Sequence, residues 1–281
     1  MLKVAVPNKG SLSDEATEML REAGYRQRRE VRELTLIDPE NDVEFFYLRP
    51  RDIAVYVGEG TLDVGITGRD LLLDSGASAE EVLGLGFGRS QLRFAAPPGG
   101  VREVDGLQGK RVATSYPGVV GEHLRRRGVD ATVVRLDGAV ESAVRLGVAD
   151  AIADVVSTGT TLRSAGLEIL GETILLSEAV MTIRRGAGEP TGLAVFQRRL
   201  QGVLVARTYV MMEYDIRTER LEDAVALTPG IESPTISPLH REGWLAVRAM
   251  VPRDAAHRIM DKLWMLGARG TLVTDILSCR I

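Results

Sequence analysis

Apolar strand patterns alternate with amphipathic helical patterns through the first two thirds of this 281-residue chain. The runs at 2–7 and 62–67 are mainly apolar, and the second is apolar enough for a strand buried on both faces. After the first run, Ser11 and Asp14 resemble a capping box, and helical spacing continues to Ala23. This βα alternation predicts a mostly parallel sheet covered by helices, and the length allows two or three domains.

A second βα series begins near Leu92 and is expected to form another lobe. Its predicted elements are strands at 109–114, 132–136, 151–155, 168–176 and 180–184, and helices at 116–127, 138–146 and 193–206. Two α/β lobes with crossing connections normally enclose a cleft, so we expect the last helix to return to the first lobe. The predicted lobe I covers 1–90 with a return segment at 179–206, and lobe II covers 91–178.

The last 75 residues, 207–281, change character. Strands are predicted at 208–214, 230–237, 244–251 and 271–278, with helices at 219–226, capped by Thr218, and at 253–266. The order βαββαβ is that of the ferredoxin-like unit. We therefore predict a third, appended domain.

Composition excludes several classes of protein. The formal net charge of −4 gives no general attraction to nucleic acid or anionic membranes. A single cysteine, Cys279, and three scattered histidines argue against an internal disulfide and a structural zinc site. The sequence has neither the apolar core of a secretion signal near its start nor a membrane-spanning apolar run. We therefore expect a soluble, cytoplasmic protein.

The segment 137–162 carries the clearest chemical signal. An apolar strand ends in the carboxylate of Asp154, and a small polar loop and a helix follow; the loop residues are Ser157, Thr158, Gly159, Thr160 and Thr161. Unpaired N–H groups at a helix start favour an anion, and a glycine lets the backbone approach it closely. The preceding carboxylate can accept hydrogen bonds from sugar hydroxyls. The alternative is a simple capping turn, which the neighbouring Glu141 and Gly147 make less favourable.

Other phosphate-binding patterns are absent from the sequence. The loop lacks the spacing of a nucleotide-triphosphatase loop, and the first strand does not end in a Rossmann glycine pattern. The glycines Gly84, Gly86 and Gly88 lie close together, but no helical pattern follows them directly. We interpret this stretch as a strand or a hinge.

The 141–162 region resembles the signature of the ATP phosphoribosyltransferase family. The matching positions are Glu141, Gly147, Ala149, Ile152, Asp154, Val155, Thr158, Gly159, Thr161 and Leu162. The segments at 6–10, 48–52 and 63–70 agree with the family as well. The segment at 228–238 resembles the regulatory domain of the family's long form, so the resemblance covers essentially the whole chain.

The resemblance implies a two-lobed catalytic core like that of periplasmic binding proteins, with a ferredoxin-like regulatory domain. It implies transfer of the phosphoribosyl group of phosphoribosyl pyrophosphate (PRPP) to N1 of the ATP adenine, with release of pyrophosphate, as the first step of L-histidine biosynthesis. It further implies Mg²⁺ carried mainly by substrate phosphates without dedicated protein ligands, inhibition by L-histidine and AMP, and assembly into dimers and hexamers.

By the same resemblance, Glu141 and Asp154 hold the ribose hydroxyls of PRPP, and the loop at 157–161 holds its 5′-phosphate. Both carboxylates precede the loop in sequence, and Asp154 comes just before it, which suits hydroxyl binding next to a bound phosphate.

Four further residues are candidates for ATP and its phosphates. Lys9, Arg49 and Asp70 follow strands of the first lobe, where open α/β sheets bind ligands. We assign the two cations to phosphates, Asp70 to substrate contact and Tyr116 to the purine. The alternatives are a solvated Lys9, an Arg49–Asp52 pair, a helix-capping Asp70 and a packed Tyr116.

The third domain suggests a histidine site by resemblance to the long form. Asp215 could accept from the ammonium or imidazole, Thr235 could supply a hydroxyl, and Gly270 would leave room for the ligand. The alternative is that Asp215 merely ends a strand and Pro234 blunts a sheet edge.

Two other functions fit the same architecture. A ligand-binding module, such as a periplasmic receptor or an effector-sensing domain, would not explain the phosphoribosyl loop. A phosphoribosyltransferase for another base would have the same loop, because the loop does not select the acceptor; the full-length resemblance favours ATP.

Overall fold

The computed structural model describes residues 1–28, 30, 32–156 and 160–280. The chain divides into two compact units. The first comprises Met1–Arg21 and Tyr25–Ala194, and the second comprises Glu22–Gly24 and the C-terminal part from Val195 onward.

The first unit is α/β and contains two sheets. Its strands are β1 (Leu2–Pro7), β2 (Thr35–Asp38), β3 (Val43–Leu48), β4 (Val64–Gly68), β5 (Ala79–Gly84), β6 (Ser90–Ala96), β7 (Arg111–Thr114), β8 (Thr132–Arg135), β9 (Ala151–Val156), β10 (Glu168–Ser177) and β11 (Ala179–Arg184). Its helices are α1 (Ser11–Glu22), α2 (Pro50–Gly58), α3 (Arg69–Ser75), α4 (Pro117–Arg126) and α5 (Thr160–Ser164).

The first sheet has six strands in the order β2-β3-β1-β4-β11-β5. β1 runs parallel to both β3 and β4, and β11 is antiparallel to its neighbours. The apolar run of β1 is buried on both faces, with Val4, Ala5 and Val6 fully inaccessible. Helix α1 buries Met19 and Leu20 from its amphipathic face. The carboxyl ends of β1, β3 and β4 therefore meet at one edge of the sheet.

The second sheet has five strands in the order β10-β6-β9-β7-β8. β7 is parallel to β8 and β9, whereas β6 is antiparallel to β9. Phe94 and Leu124 lie in its core. The chain passes between the two sheets twice, at 85–89 and at Glu178, and the first of these passages contains Gly86 and Gly88.

One helix of the second lobe was predicted wrongly. Instead of a helix over 138–146, the chain forms only a 3₁₀ turn at Val140–Ser142, followed by further turns. Ala139 has a φ of +47°, in the left-handed region, which is incompatible with a right-handed helix starting at 138. Glu141 is therefore presented by a short turn rather than by a helix face.

The second unit contains a four-stranded antiparallel sheet. Its elements are α6 (Leu193–Thr208), β12 (Tyr209–Arg217), α7 (Leu221–Leu227), β13 (Thr235–Pro238), β14 (Trp244–Pro252), α8 (Ala256–Met265) and β15 (Arg269–Asp275). The first two residues of α6, Leu193 and Ala194, belong to the first unit. The strand order β13-β14-β12-β15 is that of a ferredoxin-like domain, which confirms the predicted α/β fold class with its appended domain. The packing of 193–206 against the first lobe stays a prediction.

Two local details differ from the sequence expectations. β13 begins at Thr235 rather than at 230, because Gly230 has a φ of +72° and Pro234 offers no N–H for pairing. A 3₁₀ turn at Thr218–Arg220 precedes α7, and Thr218 does not cap it. Over the described ranges, no helix is long and apolar enough to cross a membrane.

Candidate active site

The edge of the first sheet gathers three of the predicted residues. Lys9, Arg49 and Asp70 follow β1, β3 and β4, whose parallel register brings their carboxyl ends together. Lys9 and Arg49 are exposed. Among the residues that the structure describes, neither makes an ion pair, so the Arg49–Asp52 alternative is not formed. Two uncommitted cations at a sheet edge can bind an anion.

Two further predicted residues, Tyr116 and Asp154, lie at the carboxyl edge of the second sheet. Tyr116 follows β7, and Asp154 lies near the end of the neighbouring parallel strand β9. Burial raises the pKa of Asp154, and the negative charge of Glu141 raises it further. The N–H of Val155 donates to Asp154 Oδ1 at 2.8 Å and partly opposes this rise in pKa. Glu141 and Asp154 therefore lie near enough for their charges to interact.

Asp70 and Tyr116 bring the two edges together. Burial raises the pKa of Tyr116, and the negative charge of Asp70 and a hydrogen bond with its carboxylate raise it further. Asp154 adds a smaller effect of the same sign, so the Tyr116 hydroxyl contacts Asp70 and also feels the charge of Asp154. Asp70 is 7% exposed, and its backbone N–H donates to Ser177 Oγ at 3.0 Å.

Asp70 and Tyr116 each fit in part both the substrate-binding role and the structural alternative, a helix cap for Asp70 and a packed ring for Tyr116. Asp70 Oδ1 accepts the N–H of Leu71 at 2.9 Å, as a local turn residue does. Tyr116 packs against the core of the second lobe, yet its hydroxyl faces Asp70. Each residue thus has a structural contact and an atom at the cleft.

The predicted phosphate loop follows β9 in the sequence. Ser157, Thr158 and Gly159 lie outside the described residues. Thr160 is exposed and begins α5; Thr161 follows in α5, and its side chain is also outside the described part.

Within the described part of the chain, no three or more His, Cys, Asp or Glu side chains cluster in a way that could hold a metal ion. The cleft instead combines exposed cations on one lobe with a carboxylate pair on the other. This arrangement can bind a molecule that carries both phosphates and hydroxyl groups.

Sequence reasoning missed three residues that contact this cleft: Arg51, Asp74 and Ser177. Arg51 lies within a segment singled out above, but no role was assigned to it. Asp74 follows Asp70 by one helical turn, and that i,i+4 spacing was the available signal. Ser177 reaches the cleft only because of the tertiary fold, since 107 residues separate it from Asp70 in the sequence.

A second cavity, of about 430 Å³, lies on the four-stranded sheet of the second unit. All three residues predicted for the regulatory site line it: Asp215, Thr235 and Gly270. Its other lining residues are Glu213, Tyr214, Ser237, Ala246, Val247, Arg248 and Leu272. Asp215 does not end its strand, because β12 continues to Arg217.

The geometry of this cavity favours a small polar ligand. Gly270 has a φ of +59°, and a Cβ there would come within 3.4 Å of Asp215 Oδ2, narrowing the space. Arg248 pairs with Glu213 at 2.6 Å, so both signs of charge line the cavity. Glu213 shares a strand face with Asp215, which their period-2 spacing could have indicated.

Comparison with known proteins covers the whole chain. The family model described as ATP phosphoribosyltransferase matches residues 49–202, and the model of the HisG C-terminal domain matches 206–278. Proteins named ATP phosphoribosyltransferase from Streptomyces avermitilis and Streptomyces coelicolor are 65% and 66% identical, over all of both chains. A solved ATP phosphoribosyl transferase (HisG:HisZ) complex from Thermotoga maritima is similar with a TM-score of 0.62 and 29% identity, over 72% of this chain and 97% of that one.

Proposed function

The chain belongs to the ATP phosphoribosyltransferase family, in its long form, and catalyses the first step of histidine biosynthesis; on this premise we propose how its own residues act. The observation that carries the activity is 65% identity over the full length of a protein named for it. It excludes the two alternatives, a ligand-binding module and a transferase for another base.

Glu141 and Asp154 bind the ribose hydroxyls of PRPP. Ionised carboxylates accept charge-assisted hydrogen bonds from hydroxyl groups; Asp154 lies near the end of β9, and the charge of Glu141, in the turn at Val140–Ser142, acts on it. The loop at 157–161 binds the 5′-phosphate, as the resemblance implies. The sugar is then held at its hydroxyls and at its 5′-phosphate.

Lys9 and Arg49 bind phosphates on the facing edge. As pyrophosphate leaves C1′, negative charge grows on its oxygens, and fixed cations stabilise that charge more than they stabilise the ground state. Tyr116 contacts the purine of ATP. Asp70 is suited to accept a hydrogen bond from the exocyclic amino group of adenine, which would direct the neighbouring N1 toward C1′.

Magnesium dependence fits these residues. Mg²⁺ keeps several waters and is usually carried by substrate phosphates, so it needs no dedicated protein cage. When bound to PRPP, it would neutralise the pyrophosphate leaving group. Asp154 and Glu141 are carboxylates of the described cleft that could hold its waters.

A direct assay tests the activity. ATP, PRPP and Mg²⁺ are incubated with the enzyme, and phosphoribosyl-ATP is sought by mass spectrometry. Product must require both substrates, and replacement of Mg²⁺ by a chelator should abolish it. Formation of product at full rate in the chelator would contradict the magnesium proposal alone.

We expect the acid side of the pH profile to report Asp154. Its ionised form is the active one, and activity is lost as the pH falls through the raised pKa. Glu141→Gln removes a negative charge that raises this pKa, so the acid limb should move to lower pH. The measurement is kcat/KM for PRPP against pH.

Asp137→Asn is the matched control, because it removes one exposed carboxylate from the same lobe. It should leave the acid limb in place. A limb that does not move in Glu141→Gln, or moves to higher pH, would contradict the assignment to Asp154.

The cavity of the second unit is proposed to bind L-histidine as an inhibitor. Asp215 accepts from the ammonium or imidazole, Thr235 supplies a hydroxyl, and Arg248 faces the ligand carboxylate. Because the cavity lacks every residue assigned to PRPP, inhibition should not compete with PRPP for its loop. Coupling between the sites must be reciprocal, at about 1–3 kcal/mol.

Three further properties remain proposals. AMP resembles ATP and would inhibit by occupying the purine site. The enzyme assembles into homodimers and hexamers, which sedimentation would measure; exposed apolar side chains on α8 and β15, such as Met265 and Leu272, are consistent with contacts between copies. A cytoplasmic location fits the single cysteine.

A further inference from the structure

Arg51 of α2 links the two lobes of the first unit. Its Nη1 donates to Asp74 Oδ2 at 2.9 Å within the first lobe. Its Nη2 donates to the carbonyl oxygen of Ser115, in the second lobe, at 2.8 Å. The Asp74 side chain is only 6% exposed and that of Arg51 is 34% exposed. This ion pair is therefore more shielded from water than an ordinary surface pair.

Asp74 makes a second connection, to the start of α4. Its Oδ1 accepts the N–H groups of Gly118 at 2.8 Å and Val119 at 3.2 Å. A carboxylate is favourable at the positive end of a helix. Tyr116, at the N-cap position, makes no side-chain cap of its own. A first-lobe residue thus caps a helix of the second lobe.

The approach of α3 to α4 is close. A Cβ at residue 118 would lie 2.8 Å from the backbone oxygen of Asp74, so this position needs glycine. The contact is therefore built into the backbone of both helices, rather than resting on the flexible side chains alone.

Tyr116 lies between the two anchored points, Ser115 and Gly118. The Arg51 guanidinium also stands 5.3 Å from the centroid of the Tyr116 ring, within the range of a cation–π contact. We infer that Arg51 and Asp74 are positioning residues, which hold the Tyr116 ring at the purine site and join the lobes around it. This inference rests on the purine role of Tyr116 in the proposed function.

The positioning role has a specific consequence for the two substrates. Arg51 contacts the ring that meets ATP, whereas, among the described residues, neither Glu141 nor Asp154 makes a hydrogen bond or ion pair with Arg51. Loss of Arg51 should therefore weaken ATP binding and leave PRPP binding nearly intact. A generally damaged fold would weaken both.

The test compares Arg51→Gln in the wild-type and Tyr116→Ala backgrounds. We expect Arg51→Gln alone to weaken ATP binding, measured by calorimetry, about tenfold, because misplacing a positioned group is costly. The KM for PRPP should change by less than about twofold. In the Tyr116→Ala background, Arg51→Gln should weaken ATP binding by less than about twofold, because the ring that Arg51 positions is already absent. Arg51→Lys should recover part of the loss, since lysine keeps the charge but lacks the planar fork.

Arg125→Gln is the matched control, because it also replaces an arginine and removes an exposed ion pair from α4, the helix that Asp74 caps. Its ATP affinity and melting temperature should equal those of the wild type. If Arg51→Gln does not fold, Arg51→Lys supplies the same comparison in both backgrounds.

The inference is overturned if Arg51→Gln binds ATP like Arg125→Gln, or if its loss is equally large with and without Tyr116. Failure of the proposed function is distinguishable. In that case Tyr116→Ala itself binds ATP with wild-type affinity, whatever Arg51→Gln does.

Discussion

Asp154→Asn is expected to lower kcat/KM for PRPP by at least about tenfold while the fold is kept. The substitution preserves shape but removes the charge that strengthens hydrogen bonds from the ribose hydroxyls. A hydrogen bond to a charged group contributes about 1.5–3 kcal/mol, so the loss of one such bond accounts for a tenfold effect. Steady-state kinetics with varied PRPP, together with a melting curve, is the measurement.

The matched control is Asp150→Asn, just before the other end of the same strand. Asp150 pairs with Arg111 and lies away from the carboxyl edge of the sheet. This variant should keep its activity even if it is somewhat less stable. Near-normal kinetics of Asp154→Asn with PRPP would remove Asp154 from the site.

The double variant Asp215→Ala with Thr235→Ala is expected to stay active and to lose inhibition by histidine. Both side chains line the cavity of the second unit, and none of the residues assigned to the reaction lies there. Removal of a charged partner and a hydroxyl should weaken histidine binding by at least about tenfold. Initial rates against histidine concentration are the direct measurement.

Fluorescence gives an independent measure of histidine binding. The two tryptophans, Trp244 and Trp264, both lie in the second unit, so a histidine-induced change reports locally. A control variant, Asp223→Ala with Thr218→Ala, changes the same residue types at exposed positions on or beside α7. It should respond to histidine like the wild type. Full sensitivity of the Asp215/Thr235 variant would show that histidine binds elsewhere.

The local pattern of apolar and polar residues predicted most helices and strands, because the burial of each face determines that pattern directly. The run at β1 is apolar apart from the exposed Lys3, since both faces are covered at 4–7, and β14 alternates because one face is covered. The pattern failed at 138–146, where helical spacing was present but the backbone at Ala139 is left-handed. It also did not indicate β5, whose apolar run is interrupted by Glu80 and Glu81.

The sequence by itself determined the α/β class, the appended βαββαβ domain and the family, because periodicity and contiguous motifs are local properties of the chain. It also placed Asp154 at the end of one strand and Asp215 near the end of another. Only the tertiary structure decided that Asp70 meets Tyr116 and that Asp74 caps a helix 44 residues away. Such contacts depend on which strand edges face each other, and this follows from the packing of whole sheets rather than from any local pattern.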